Sequence, residues 1–187
     1  MTPPQHTTRD RILNALQRLL VEEGSAAVTL ERVAAEAGVS KGGLLYHFRS
    51  KSDLYDGLAR RFRLTEEDRL AQARRTGVVE AFMRASQLES AESEAALWAM
   101  LTALRGVEAL SEQARDDLMF IFRGWSRALH EEIEDPVTAE IVRLVGDGLF
   151  LSALSGLPLP RPEVVEGILE RLLEVSRGRS PNHPPIG

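Results

Sequence analysis

Lys41, Arg49 and Lys51 lie in a window, Ala37 to Ser52, that contains no acidic residue and holds both lysines of the chain. Ser40, Tyr46 and His47 are interleaved with them. This is chemistry suited to a polyanion. Ammonium and guanidinium groups neutralise phosphates, and hydroxyl and ring donors reach phosphate oxygens or base edges. A lysine can also donate to guanine O6 and N7, a contact that discriminates by about 1–3 kcal/mol. Gly42-Gly43 follows Lys41 directly. Two glycines weaken a helix by about 1 kcal/mol each relative to alanine. Either they let a helix N-terminus approach a sugar-phosphate backbone or base edges closely, or they form a loose turn with no contact. The flanking Lys41 and Tyr46 favour close approach.

Two short helices must position these groups. Thr29 is a good N-cap, because its hydroxyl can accept from a free N–H of the first turn. Leu30, Val33, Ala34 and Ala37 then fall on one helical face. Gly38 supplies the left-handed conformation that ends a helix cheaply. Ser40 caps a second helix over Lys41–Phe48, whose Leu44 and Phe48 bury one side and leave Lys41, Gly42, Leu45, Tyr46 and His47 for other faces. Ser50 and Asp53 have capping-box spacing and restart the chain as a helix at Lys51. A cation at a helix start is poorly placed unless an anion such as a DNA phosphate is expected there.

Charge is divided along the chain. The whole protein carries −5, yet residues 1–63 hold ten Lys/Arg against seven Asp/Glu, while residues 64–187 hold thirteen against twenty-one. A polyanion is drawn to one end and repelled by the other.

The run VTLERVAAEAGVSKGGLLYHFRSKSDL closely resembles the DNA-binding segment of TetR-family transcriptional regulators. The matching features are Thr29 before the first helix, the A-x-x-A-G-V-S turn, Gly43-Leu44-Leu45-Tyr46-His47-Phe48, and Lys51 opening the following helix. The resemblance covers about residues 8–60. It implies that Thr29 contacts phosphate and that Ser40, Lys41, Gly42 and Gly43 open the recognition helix toward the major groove. It also implies backbone or base contacts for Leu45, Tyr46 and His47, and a phosphate clamp at Lys51. Many relatives carry Thr or Ser where this chain has Gly43, so Lys41 and its neighbours would carry more of the base readout.

The fold expected is all-α: an N-terminal three-helix helix-turn-helix domain at residues 1–50, a helical effector-binding and dimerisation domain at 51–178, and a disordered tail at 179–187. Apolar periodicity places about nine helices. The first runs from a Thr7/Asp10 capping box toward Gly24, and the fourth ends at Gly77. A fifth spans Val78–Leu88, a sixth Ser93–Leu110 and a seventh Ser111–Glu134, whose Leu118–Phe122 run is apolar all round and should be buried. The last two span about 136–156 and 162–177. Ile141, Leu144, Val145, Gly148, Leu149 and Ser152 form one face, and Ile168, Leu169, Leu172 and Val175 another. Paired with a second copy, these would make a four-helix bundle; alone, they would complete a monomer core.

The resemblance implies a homodimeric regulator of double-stranded DNA, most simply a repressor on a palindromic operator. An activator, or a regulator controlled by a partner protein, is a variant of the same class. It also implies a small-molecule pocket in the C-terminal part. Phe62, Trp98, Met100, Leu104, Phe120 and Trp125 would suit an apolar or amphipathic effector. Asp147, Arg105 and Arg123 are possible polar anchors, although each fits a surface ion pair as well. His130 and Glu134 sit at metal-sharing spacing, but two ligands do not make a site, and a solvated acidic helix end is the better reading.

No cofactor or metal is expected. An all-helical enzyme is disfavoured, because no nucleophile–base pair, phosphate-cradling loop or carboxylate pair assembles. A non-specific nucleoid protein is disfavoured by the acidic C-terminal part. The absence of cysteine fits a reducing, cytoplasmic setting. The residues MTPPQHTTRD lack the apolar run of a signal peptide. No stretch is long and apolar enough to span a membrane.

Overall fold

A computed structural model describes residues 7–87, 97 and 110–178. Among these residues the chain forms eight α-helices and no strand. They are α1 (Thr8–Glu22), α2 (Leu30–Glu36), α3 (Lys41–His47), α4 (Lys51–Thr76), α5 (Val78–Ala85), α6 (Glu112–Glu132), α7 (Pro136–Ser155) and α8 (Pro162–Ser176), with a 3-10 turn at Ser25–Ala27. The fold class is therefore all-α, with an N-terminal helix-turn-helix followed by a helical C-terminal part. The expected helix at Ser93–Leu110 lies outside the described residues, apart from Leu97 and Leu110. The described residues fall into two compact units, one drawn from 1–65 and 90–120, the other from 66–89 and 121–187.

In the first unit, α1 opens with the expected capping box: Asp10 N–H donates to Thr7 Oγ1 and Thr7 N–H donates back to Asp10 Oδ2, each at 3.1 Å. One apolar face of α1, with Ile12, Leu13, Leu16 and Leu20, is fully buried together with Val33, Leu44, Phe48, Leu54 and Leu58 from α2, the end of α3 and α4. Burying each such side chain contributes about 1.5–3 kcal/mol. Gly57 marks the tightest approach: a Cβ there would lie 2.6 Å from the Phe48 ring and 3.3 Å from Leu13 Cδ2. Arg61, partly buried, donates to Asn14 Oδ1 and Gln17 Oε1 at 2.6 Å each, joining α4 to α1. Removal from water pushes its pKa down from the usual guanidinium value.

In the second unit α5 packs on α7 and α8, and α7 on α8. Gly146 permits the first of these contacts, since a Cβ there would lie 2.8 Å from Phe82 Cζ and from Ser86 Oγ. Asp135 caps α7 through Thr138 N–H at 3.0 Å, with Pro136 in the first turn where no donor is missed. The carboxylate of Glu132 accepts from the first free N–H groups of α5, Val78 at 2.6 Å and Val79 at 3.2 Å.

One expectation changes and one alternative is decided. The Leu118–Phe122 run is not buried all round: Leu118 and Ile121 are core, whereas Met119, Phe120 and Phe122 are half-buried. Leu149, Leu169 and Leu172, expected on faces open either to a second copy or to the monomer core, are buried within the chain. The α8 stripe carrying Leu169 and Leu172 thus serves the monomer core.

Candidate nucleic-acid interface

The α2–α3 turn follows from its residues. Thr29 Oγ1 accepts from Arg32 N–H at 3.1 Å, and Ser40 Oγ accepts from Gly43 N–H at 3.0 Å, so both N-caps form. Gly38 adopts φ 64°, and Gly38 and Val39 N–H donate to the Ala35 and Ala34 carbonyls, closing the end of α2. Leu44 and Phe48 hold α3 against the core, so its other side faces out. Tyr46 is 85% exposed. Thr29, Ser40, Lys41 and Gly42 are exposed, and Gly43, Leu45 and His47 are half-buried. The Tyr46 and His47 rings meet edge-on with centroids 5.1 Å apart, which limits their freedom.

Lys51 opens α4 but does not simply project. Its ammonium donates to the Ser25 carbonyl at 3.2 Å and lies 5.9 Å from the Tyr55 ring centroid. The Ser50–Asp53 cap also differs in detail from a simple capping box. Asp53 N–H donates to Ser50 Oγ at 3.0 Å, but the return bond to the Asp53 carboxylate comes from Arg49 N–H at 2.9 Å. The Ser50 hydroxyl and the Arg49 N–H together hold the Asp53 carboxyl below its ordinary pKa. One neighbour of the interface was not read from the sequence. Glu31, in the first turn of α2, forms an ion pair with Lys41 at 2.6 Å. Its signal is an acid on the helix before the basic window, which becomes meaningful only once the turn angle is known.

The described effector candidates divide between the units. In the first, Phe62 and Phe120 are half-buried, and the Arg63 guanidinium sits 4.5 Å from the Phe120 ring centroid. Arg63 also donates to buried Asp117 at 3.0 Å, an acid that sequence reasoning passed over. In the second, Trp125 is buried beside Phe82 with centroids 5.6 Å apart and donates to Glu66 at 3.0 Å. Asp147 accepts from Arg143 at 2.6 Å, the ion-pair alternative noted for it. Trp98, Met100, Leu104 and Arg105 lie outside the described residues. His130 hydrogen-bonds Glu140 on α7 at 2.9 Å.

A family model described as bacterial regulatory proteins of the tetR family matches residues 12–58. A second, described as the tetracyclin repressor-like C-terminal domain, matches residues 76–177, more than half of the chain. The chain belongs to the TetR family. Members of that family are transcriptional regulators rather than enzymes. The transcriptional repressor BepR of Brucella suis biovar 1 (strain 1330) is 35% identical over 68 residues, which are 36% of this chain and 32% of BepR. The chain therefore spans about a third of that curated relative. Among solved structures, a TetR-family member from Streptomyces coelicolor A3 aligns with TM-score 0.69 at 25% identity, over 88% of this chain and 97% of that one. The multidrug binding protein EbrR, solved with imidazole, aligns with TM-score 0.63 at 25% identity, over 89% and 94%. No helix among the described residues is long and apolar enough to cross a membrane.

Proposed function

We propose that this TetR-family protein is a homodimeric, cytoplasmic repressor that binds a palindromic operator and is released by a small apolar or amphipathic ligand. In this reading residues 1–50 hold the DNA and 51–178 hold the effector and the second copy. The carrying observation is α3: its inner side is locked by Leu44, and its outer side exposes Lys41, Gly42 and Tyr46 beside the exposed caps Thr29 and Ser40. Such a helix enters a major groove, and its twin enters the next roughly 34–36 Å away. Lys41 would read a base edge, while Thr29, Ser40 and Lys51 would hold phosphates.

Two features support the remainder. Val137, Ile141, Leu144 and Leu151 are exposed along α7, and exposed Gly148 completes their alternating four- and three-residue spacing. That spacing is the seam of a helix pair, with a glycine where two helices come closest. The ligand reading draws on the half-buried rings of Phe62 and Phe120 in the first unit, on Trp125 in the second, each taken by itself, and on EbrR, whose structure holds imidazole. An effector releases DNA only by its differential affinity for the two conformers. An activator of the same architecture remains the second reading, because the repressor precedent comes from relatives such as BepR, which this chain covers over about a third of their length.

The test is selection of the purified full chain on a random duplex library, followed by footprinting on the DNA beside its own gene. An inverted repeat with half-sites about one helical turn apart is expected. Enrichment of no sequence would overturn the reading.

A further inference from the structure

Glu31 is an acid on a surface otherwise organised to meet an anion. Its carboxylate lies 2.6 Å from the Lys41 ammonium, with the two side chains 62% and 58% exposed. Both are therefore open to a docking duplex. Fold stability does not account for the pair, since exposed ion pairs contribute about 0–1 kcal/mol. The other acid of α2, Glu36, pairs with Arg18, and Arg32 is taken up by Glu23. Glu31 is thus the α2 acid paired with a residue of the recognition helix.

We propose that Glu31 is a positioning residue for DNA specificity: it holds the Lys41 ammonium at the mouth of α3 and keeps it from settling on phosphate. This rests on the proposed reading that α3 enters the major groove. An ammonium has three donors. With one donated to Glu31, two remain for guanine O6 and N7, so the pair persists when Lys41 meets the correct base. On unrelated DNA the available gain is electrostatic and comes from phosphates. To collect it, Lys41 must leave Glu31 and place an uncompensated carboxylate beside the polyanion. Random sequence therefore carries a penalty that the operator does not. The Lys41 hydrogen bond also holds the Glu31 carboxyl below its usual pKa.

The experiment uses the full chain as wild type, Glu31→Gln, Lys41→Gln and the double variant. Each is titrated over a range of KCl onto the duplex most enriched by the wild type and onto the same bases scrambled. Glu31→Gln should tighten scrambled binding severalfold, steepen its salt slope by about 0.9, and tighten the selected duplex less, so that the specificity ratio falls. In the Lys41→Gln background, removing Glu31 should shift both duplexes by one factor and leave the ratio alone. A ratio unchanged by Glu31→Gln overturns the inference while leaving the regulator intact. A ratio that falls equally in the Lys41→Gln background overturns it too, because Glu31 would then act without Lys41. A wild type that enriches no duplex removes the proposed function and this inference together.

Discussion

Under the proposed function Lys51 has two roles that one substitution separates. Its ammonium ties the start of α4 to the Ser25 carbonyl, and it stands where the TetR pattern places a phosphate clamp. Lys51→Ala should lower the free energy of unfolding by about 1 kcal/mol through the lost bond. It should also weaken operator and random duplex by the same factor and flatten the salt dependence by about 0.9. Calorimetry reads the first effect and salt titration the second. Loss confined to the operator would contradict the clamp, since phosphate contacts carry no sequence information.

At the scale of the element, the question is what Gly42 contributes to α3. A Cβ at Gly42 meets nothing within 4 Å, so alanine fits the free protein without displacement. Gly43 is a poorer probe, because its Cβ would lie 3.3 Å from the Ser40 oxygen that caps the helix. Gly42→Ala should therefore stabilise the protein by about 1 kcal/mol through helix propensity. If the glycine permits close approach to DNA, the same variant should bind its operator more weakly despite being more stable. A more stable variant with unchanged affinity would favour the loose-turn reading. The element itself was legible in the sequence, because caps, the left-handed Gly38 and the Leu44/Phe48 stripe are local signals. What lay beyond sequence reading joins elements distant along the chain. Lys41 meeting Glu31, Arg63 meeting Asp117, and Leu169 and Leu172 turning inward all depend on crossing angles that periodicity does not encode. An apolar stripe is the same string of letters whether its partner is α5 or another copy. An aromatic residue likewise reads alike in a core and in a pocket, so spacing does not separate ligand contacts from packing.

Across the molecule, acid sensitivity follows from its carboxylates. Arg143, and secondarily His130, hold the Glu140 carboxyl at about 2 against an ordinary 4.5. Lys41, Ser50 and Thr138 lead the lowering at Glu31, Asp53 and Asp135. A depressed folded-state pKa contributes stability above the unfolded value and loses it as pH falls through the folded one. Asp147 has the opposite sign: burial raises its pKa, so its contribution is present at low pH and fades as pH rises through that raised value. With four lowered groups against one raised, the unfolding midpoint should fall between pH 4.5 and about 2. Glu140→Gln should flatten that fall, and a pH profile identical to wild type would show that the Glu140 network does not control it.

The α7 seam tests the assembly. Leu144 is 59% exposed, so a polar residue there disturbs little in an isolated chain. Surface substitutions of that kind stay within about ±0.5 kcal/mol. In a two-fold pair the same position is buried once from each copy, and Leu144→Glu would place two carboxylates in one apolar seam. The variant should sediment as a monomer at concentrations where wild type is a dimer, with a similar thermal midpoint at matched monomer. Its operator affinity should collapse toward that for scrambled duplex, because the second half-site is bound only through the effective concentration that the dimer supplies. The α3 surface is untouched, so residual non-specific binding and its salt slope per chain should persist. Wild type that sediments as a monomer, or Leu144→Glu that remains a dimer, would move the interface away from α7 and leave its exposed apolar spacing to be explained by something other than a second copy.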